Sequence, residues 1–249
     1  LETLISERTA LVSIMYANNE IGTMMNIREL AAVAHRHGAL FHTDAVQAYG
    51  HHRIQCREMG IDLLSASGHK FHGPKGIGFL YVRDGIDIEP LIYGGSQERG
   101  ARAGTENVIG IMGMAKAAEE SHDAMEEAEQ RMMQLRDMLA RKMMERLDDC
   151  YLVGEWKNRS ANNICLCIKG VDAMHLVDYL GGSDICISTG SACNMKSVFA
   201  SHVLRAIHMS EEDARSTIRI SLSKYSTEEE ARRFVDELEK AVKLLKEIY

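Results

Sequence analysis

Short apolar runs alternate with helical patterns over the first 85 residues. Leu11–Met15 is a mostly apolar run of strand length and predicts a buried strand. Apolar side chains then recur at helical spacing over residues 27–37, and Gly38 ends that helix before a second predicted strand at residues 40–43. Strands that alternate with crossover helices indicate βαβ units and a mainly parallel sheet with helices on both faces.

The remaining chain continues as α/β, with one long helical stretch in its middle. Residues 109–147 are rich in Met, Ala, Glu and Arg with few breakers, which predicts one long helix or two consecutive ones. We therefore expect residues 1–118 to belong to a larger α/β domain and residues 119–249 to a smaller C-terminal one. Further strands are predicted at residues 63–65, 77–82, 164–168, 185–188 and 217–222, and further helices at 172–180, at 198–207 and from a capping box of Thr227 and Glu230 to the end.

Composition and charge exclude several classes of protein. The net charge of -7, with acidic residues spread along helices, gives no electrostatic footprint for nucleic acid. No apolar run approaches the roughly 20 residues that a membrane-spanning helix needs. Six cysteines without a regular framework, in a chain this large, favour a reducing compartment such as the cytoplasm over a disulfide-stapled fold.

A lysine in a glycine-rich loop is the most informative chemical feature. Lys70 follows a short apolar strand and is flanked by Ser67, His69 and glycine turns that let the backbone approach a ligand. A lysine amine in this setting is suited to form a Schiff base with an aldehyde cofactor. Asp44 ends an earlier strand, where a carboxylate can pair with a pyridinium nitrogen. Either residue alone is more often a surface lysine or a helix cap, but together they favour a cofactor site.

Six motifs, in order along nearly the whole chain, resemble those of the NifS-type cysteine desulfurases. These enzymes belong to the class V aminotransferase group within the type I fold of pyridoxal 5'-phosphate (PLP) enzymes. The resemblance implies that the chain holds part of the PLP-binding large domain and the smaller domain with the catalytic cysteine loop. The motifs are residues 17–23 (ANNEIGT), 41–47 (FHTDAVQ), 67–76 (SGHKFHGPKG), 94–100 (GGSQERG), 102–107 (RAGTEN) and 188–193 (STGSAC).

The resemblance also implies a role for each residue that binds the cofactor. Lys70 matches the lysine that binds the PLP aldehyde, and Asp44 matches the partner of the pyridine nitrogen. The other matches are Gln47 and Asn19 near the phenolic oxygen, Ser67 and His69 at the phosphate, and Thr105 at the phosphate bound by the other subunit. The last of these implies a homodimer.

Two further matches concern the substrate, L-cysteine. Arg219, with Asn19, matches the group that binds the substrate carboxylate, a role suited to the guanidinium fork. Cys193 matches the nucleophile that takes the sulfur. A lone cysteine is usually a small buried hydrophobe, but Cys193 lies among small and polar residues with Lys196 nearby, a setting that favours an exposed thiolate.

The function implied is conversion of L-cysteine to L-alanine with a persulfide on Cys193. The spacing from Cys193 to Val203 matches the family branch with the longer loop, which hands sulfur to acceptor proteins such as iron–sulfur scaffolds. Three alternatives stay open: a selenocysteine lyase on the same scaffold, a class V aminotransferase, which has no need of Cys193, and an incompetent fragment that acts only as a dimerising or acceptor-binding module.

Two departures from the family pattern stand out. The family has a long segment before the position of Leu1, with a Gly-Thr turn at the phosphate and a histidine that stacks on the ring, so we expect that this chain lacks the N-terminal portion. Ser223, Lys224 and Tyr225 replace the glycine and arginine that usually follow the Arg219 motif.

No metal site is predicted. Cys165 and Cys167 share one face of a strand but have no second pair of ligands nearby, so they are expected to be core residues. The histidines at helix ends and turns have no repeated ligand spacing and are expected at the surface; they are His35, His37, His51, His52 and His72.

Overall fold

The computed structural model describes residues 1–190 and 201–248, which fold into two compact units. The first unit comprises Leu1–Tyr16 and Met25–Met125, and the second comprises Ala17–Met24 and Glu126–Tyr249. The short segment Ala17–Met24 therefore belongs with the C-terminal half of the chain. Among the described residues, no helix combines the length and the apolar character needed to cross a bilayer.

The first unit is built on a four-stranded sheet in sequence order. The first three strands are parallel, and the fourth is antiparallel to the third. A parallel connection needs a crossover of a dozen or more residues, whereas the turn between the last two strands is shorter and permits only antiparallel pairing. The strands are β1 (Leu11–Met15), β2 (Leu40–Asp44), β3 (Leu63–Ser67) and β4 (Gly78–Val82).

Helix α1 connects β1 to β2, as the sequence predicts. The Asn26 side chain caps it by accepting the Glu29 N–H, and Ile27, Ala31 and Ala34 form its buried face. The helices of this unit are α1 (Ile27–Arg36), α2 (Cys56–Met59) and α3 (Val108–Asp123), with two short 3₁₀ turns at Gly68–Phe71 and Gln97–Gly100.

A buried carboxylate joins three elements of the first unit. Asp62, which is fully buried, accepts hydrogen bonds from the Phe41 N–H (2.7 Å), from His35 Nε2 (2.8 Å) and from Arg83 Nε (2.7 Å). These three partners lie on β2, on α1 and just after β4. Asp62 therefore ties the sheet to its first crossover helix.

The second unit contains a four-stranded antiparallel sheet in the order β5-β6-β8-β7. All six residues of β6 are buried. One face packs in the main core with residues such as Leu139, Met143 and Leu176, and the other face buries Cys165 and Cys167 against Leu204 and Ala214. The strands are β5 (Cys150–Leu152), β6 (Asn163–Ile168), β7 (Ser188–Thr189) and β8 (Thr217–Ser221); the helices are α4 (Met125–Arg146), α5 (Ala173–Gly181), α6 (His202–Ala206), α7 (Glu211–Arg215) and α8 (Glu228–Ile248).

The predicted capping box is confirmed, because the Thr227 N–H donates to the Glu230 carboxylate and the Glu230 N–H donates to the Thr227 hydroxyl.

The helical stretch over residues 109–147 is two helices, separated at Ala124. The strand predicted at residues 185–188 is wrong in position, since within residues 185–190 the strand that pairs with β8 is Ser188–Thr189. The short elements α2, β5 and α7 were not predicted.

One of the histidines predicted at the surface is buried. His52 is 8% exposed, and its ring stacks on Tyr16 with centroids 6.4 Å apart. The surface prediction is therefore wrong for His52. His52 lies in a polar turn that contains glycine, and such a sequence is typical of the surface. The burial was not predictable from this pattern, because a turn of the same composition can also pack against the core.

Candidate active site

Asp44 lies at the carboxyl end of β2, beside the end of β3. It is half-buried, and its Oδ1 accepts the Val46 N–H at 2.9 Å, which fixes the carboxylate at the start of the following turn. Gln47, also half-buried, lies in that turn. The carboxyl ends of parallel strands are the edge at which open α/β sheets bind ligands. Asp44 is paired with Ser65 of β3, and β3 ends at Ser67.

Lys70 lies on the 3₁₀ turn Gly68–Phe71, which begins directly after β3. The lysine is exposed, and its carbonyl oxygen accepts a hydrogen bond from His51 Nε2 at 3.1 Å. The turn is tight, because a Cβ atom on Gly73 would lie 2.9 Å from the Gly68 carbonyl oxygen. Only glycine therefore fits at position 73, and the lysine backbone is held by the fold.

Ser67 and His69 flank this lysine and contact each other. The Ser67 Oγ lies 2.8 Å from His69 Nδ1, and the two residues straddle the start of the 3₁₀ turn. A hydroxyl and a neutral imidazole have one proton each to donate, and the contact between them uses one of the two, so the pair as it stands offers one free donor to an anionic group. Thr105, the other predicted phosphate ligand of the first unit, is exposed in the segment before α3.

A polar network that sequence reasoning missed crosses the first sheet next to Asp44. His42 Nδ1 lies 2.7 Å from Ser13 Oγ on β1, and His42 Nε2 lies 2.7 Å from Ser65 Oγ on β3. Burial lowers the pKa of His42, and the Asp44 charge opposes that shift only in part. Burial therefore favours the neutral form of this imidazole. The sequence could have predicted that His42 lies near Asp44, because residues two apart in a strand lie on the same face.

In the second unit, the structure brings Asn19 and Arg219 together. Arg219 lies on β8, and its Nη1 donates to the Asn19 carbonyl oxygen at 2.9 Å. Its Nε is buried and has no hydrogen-bond partner within the part of the chain that the structure describes. A buried guanidinium N–H without a partner is costly, and a carboxylate ligand is suited to satisfy it.

Cys193 and Lys196 lie outside the described residues. The chain positions on either side are described: the Gly190 N–H donates to the Thr217 carbonyl oxygen at 3.2 Å, and the Ser201 hydroxyl caps α6. Ser201 also donates a hydrogen bond to the carboxylate of Glu20, a buried residue that sequence reasoning missed although it lies within the motif of residues 17–23.

The described residues contain no cluster of three or more His, Cys, Asp or Glu side chains that could hold a metal ion. The candidate site residues divide between the two units. The first unit carries Lys70, Asp44, Gln47, Ser67, His69 and Thr105, and the second carries Asn19, Arg219 and the segment with Cys193.

The sequence of this chain matches the model of one protein family and is similar to many known proteins. The model of the family described as aminotransferase class-V matches residues 1–234. The chain is 45% identical over 248 residues to a cysteine desulfurase IscS of Dictyoglomus turgidum, covering 100% of this chain and 63% of that protein. It is also 45% identical over 244 residues to a cysteine desulfurase of Gluconacetobacter diazotrophicus, covering 98% of this chain and 61% of that protein.

Solved structures agree with the sequence relatives. A NifS-like protein superposes with a TM-score of 0.90 at 37% identity, covering 98% of this chain and 64% of that one. The structure titled SspA in complex with cysteine superposes with a TM-score of 0.71 at 35% identity, covering 91% of this chain and 62% of that one. The chain thus spans less than two thirds of these relatives' length. The predicted α/β fold class and the resemblance to NifS-type proteins are confirmed.

Proposed function

Because this chain belongs to the class-V aminotransferase family, we propose that it is part of a PLP-dependent cysteine desulfurase. The reaction would convert L-cysteine to L-alanine and leave the sulfur as a persulfide on Cys193. The observation that carries the proposal is the position of Lys70, which is exposed on a tight turn directly after β3, next to the Ser67–His69 pair. The relatives named cysteine desulfurase support the choice of reaction.

The donors of the first unit suit PLP. Its phosphate carries nearly two negative charges at neutral pH and would accept hydrogen bonds from Ser67 and His69. Lys70 would bind the aldehyde carbon, Asp44 would accept a hydrogen bond from the protonated ring nitrogen and keep it protonated, and Gln47, with Asn19, would lie near the phenolic oxygen. When bound, PLP supplies an electron sink for bond cleavage next to the substrate α-carbon. Once the substrate amine has displaced Lys70 from the aldehyde carbon, the freed Lys70 amine would carry the α-proton of the substrate.

Arg219 would bind the substrate carboxylate. The Asn19 carbonyl oxygen engages Nη1 at 2.9 Å, which fixes the guanidinium plane and leaves the buried Nε to donate. A guanidinium can present two parallel N–H groups to one carboxylate, and this bidentate pairing sets the orientation of the amino acid. The substrate would therefore be held through its carboxylate, which every amino acid has, and this constraint would direct its thiol.

Cys193 would act as the thiolate nucleophile toward the substrate sulfur. A new S–S bond forms as the Cβ–Sγ bond of the substrate breaks, and the electron pair of that bond goes to the carbon fragment. The fragment takes up protons and leaves as alanine, so no external oxidant or reductant is needed. The persulfide that remains on Cys193 is ready for transfer to an acceptor thiol.

We further propose that the complete protein is a homodimer that passes sulfur to acceptor proteins such as iron–sulfur scaffolds. The dimer is supported by the role that the family resemblance implies for Thr105, at the phosphate bound by the other subunit. The acceptor class is supported by the spacing from Cys193 to Val203, which resembles that of the family branch that hands sulfur to acceptor proteins. A reducing compartment such as the cytoplasm suits this chemistry, because the nucleophilic thiol must stay reduced between turnovers.

The test combines cofactor trapping with product analysis. The purified protein is incubated with PLP, reduced with borohydride and digested, and we expect the cofactor on the peptide that contains Lys70. Lys70→Ala abolishes this adduct, whereas Lys75→Ala, which alters the same glycine-rich loop, retains it. With L-cysteine, alanine should form together with a persulfide on Cys193.

Three results would refute parts of the proposal. Cofactor trapped on Lys75 would overturn the assignment of Lys70. Alanine formation without a persulfide on Cys193 would overturn the assigned nucleophile. Turnover of selenocysteine with no turnover of cysteine would identify a selenocysteine lyase instead.

A further inference from the structure

The segment Ala17–Met24 forms a closed turn within the second unit, called here the 17–24 turn. Its first and last residues pair as an antiparallel bridge, and inside it the Asn18 side chain accepts the Glu20 N–H at 2.9 Å. The turn carries Asn19, whose carbonyl oxygen accepts the hydrogen bond from Arg219. The position of that carbonyl group therefore depends on what holds the 17–24 turn against the sheet.

Asn163, the first residue of β6, holds the 17–24 turn. This residue is 6% exposed, and its Nδ2 donates to the Glu20 carbonyl oxygen at 3.1 Å. The approach is close, because a Cβ atom on Gly22 would overlap the Asn163 side chain. Gly22 also has a φ of 72°, which residues with a Cβ atom rarely adopt. Only glycine therefore fits where the turn meets Asn163.

A buried arginine fixes the orientation of the Asn163 amide. Arg159, which is 5% exposed, donates from Nη1 to Asn163 Oδ1 at 3.1 Å and from Nε to the Glu155 carbonyl oxygen at 2.9 Å. A guanidinium group has only donors, so the Asn163 atom that faces it must be the amide oxygen. The amide nitrogen then faces the Glu20 carbonyl oxygen as a donor. Arg159 therefore selects the one orientation in which Asn163 can hold the turn.

Asn163 and Arg219 extend from the same face of the second sheet. Arg219 on β8 lies opposite Cys165 on β6, and Asn163 precedes Cys165 by two residues. Residues two apart on a strand, and residues directly opposite on antiparallel strands, point to the same side of a sheet. From this face, the two side chains hold two successive carbonyl groups of the turn, those of Asn19 and Glu20.

We propose that Asn163 is a positioning residue that, through the 17–24 turn, keeps Arg219 aligned for the substrate carboxylate. The Asn19 carbonyl oxygen holds Nη1 of Arg219 and leaves the buried Nε to donate. A shift of the turn would move this carbonyl group and rotate the guanidinium plane away from bidentate geometry. The docking of the turn is a property of Asn163 and Glu20, whereas its effect on cysteine rests on the proposed function.

Hydrogen–deuterium exchange tests the docking without cofactor or substrate. The peptide that covers Ala17–Met24 is compared with a peptide of α8 in the wild type and in Asn163→Asp. Aspartate keeps an acceptor for Arg159 but has no N–H group for the Glu20 carbonyl oxygen. Because that buried oxygen loses its donor, amide exchange in the turn should be about 5- to 100-fold faster, while α8 exchanges at the wild-type rate.

The matched control is Asn162→Asp, which makes the same change one residue earlier. Asn162 Oδ1 accepts from the Ser160 hydroxyl at 2.7 Å, and aspartate retains that acceptor. Exchange in both peptides should therefore equal that of the wild type. If Asn163→Asp fails to fold, Asn163→Ser, whose side chain is too short for the Glu20 carbonyl and adds no charge, should give the same selective acceleration in the turn.

Kinetics of the PLP-loaded protein test the link to Arg219. Asn163→Asp should raise the KM for L-cysteine about 2- to 10-fold and leave kcat near the wild-type value, because it weakens binding of the carboxylate. The increase should disappear when Arg219→Lys is already present, since Asn163 acts through the guanidinium plane. A merely structural role would instead lower the amount of active protein, and so kcat, in both backgrounds.

Three outcomes would overturn the proposal. Unchanged exchange over Ala17–Met24 in both Asn163 variants would show that the amide does not hold the turn, and equal acceleration in α8 would show general loosening of the unit. Fully additive effects of Asn163→Asp and Arg219→Lys on KM would show that Asn163 does not act through Arg219. A protein that shows the selective exchange but turns over no cysteine refutes the proposed function, and with it the role of Arg219, and leaves the docking of the turn standing.

Discussion

Replacing Asp62 by alanine should destabilise the first unit strongly, although this residue is remote from the chemistry. Asp62 is fully buried and accepts three hydrogen bonds, from the Phe41 N–H, from His35 and from Arg83. Alanine removes all three acceptors and leaves the Phe41 N–H unsatisfied within the sheet. The variant therefore tests whether a buried carboxylate holds α1 and β4 to the centre of the sheet.

The size of the stability loss depends on how exposed the three hydrogen-bond partners of Asp62 are. Loss of the buried bond between the Phe41 N–H and a charged acceptor costs about 1.5–3 kcal/mol. The side chains of His35 and Arg83 are 41% and 48% exposed, so water replaces their lost partner and each pair adds at most about 1 kcal/mol. The expected total is about 1.5–5 kcal/mol, and at about 2–4 °C per kcal/mol for a chain of this size the melting temperature falls by roughly 3–20 °C.

The change in melting temperature is measured by thermal unfolding of the wild type and the variant without cofactor, monitored by circular dichroism. The matched control is Asp84→Ala, because Asp84 also pairs with an arginine, Arg57, at 3.9 Å but has a side chain that is 97% exposed. That control should change stability by less than about 0.5 kcal/mol. Equal effects of Asp62→Ala and Asp84→Ala would refute the argument that burial sets the cost.

The same carboxylate predicts a pH dependence. Burial alone would raise the pKa of Asp62, but the hydrogen bonds from Phe41, His35 and Arg83 outweigh it, and the net result is a lowered pKa. The stability it contributes is therefore fully present above the unfolded-state pKa of about 3.9 and is lost as the pH falls through the lower folded-state value. In Asp62→Ala, the free energy of unfolding should therefore fall less steeply than in the wild type as the pH drops below about 4. The same steepness in both proteins would contradict a lowered pKa for Asp62.

Three further predictions concern the second unit. Cys193→Ala should retain PLP trapping on Lys70 and lose sulfide release from cysteine, measured by persulfide labelling; release at the wild-type rate would exclude Cys193 as the nucleophile. Arg219→Lys should raise the KM for cysteine about 10-fold or more, since lysine cannot form the bidentate pair; an unchanged KM would remove Arg219 from the substrate site. Leu176→Ala, at a fully buried core position, should lower the unfolding free energy in urea by about 2–5 kcal/mol, and a loss below about 1 kcal/mol would contradict the core packing described.

The sequence alone was sufficient to predict those helices, strands and caps that depend on residues close together in the chain. The β1 run, the 3.6-residue spacing of α1 and the capping box at Thr227 each depend on neighbours within a few residues, and each was predictable. The position of Lys70 directly after β3 was predictable for the same reason, because a strand end followed by small residues and glycine specifies a tight turn. The order of the motifs then indicated the family.

Tertiary structure alone decided which distant residues meet. Arg219 and Asn19 are 200 positions apart, and Glu20 and Ser201 are 181 positions apart. No periodicity connects such residues, since their contact depends on strand register and on which unit buries the segment Ala17–Met24. The same holds for the Ser13–His42–Ser65 network, which forms only when three strands align. Sequence determined the chemistry available in each motif, and packing determined which of those groups face one another.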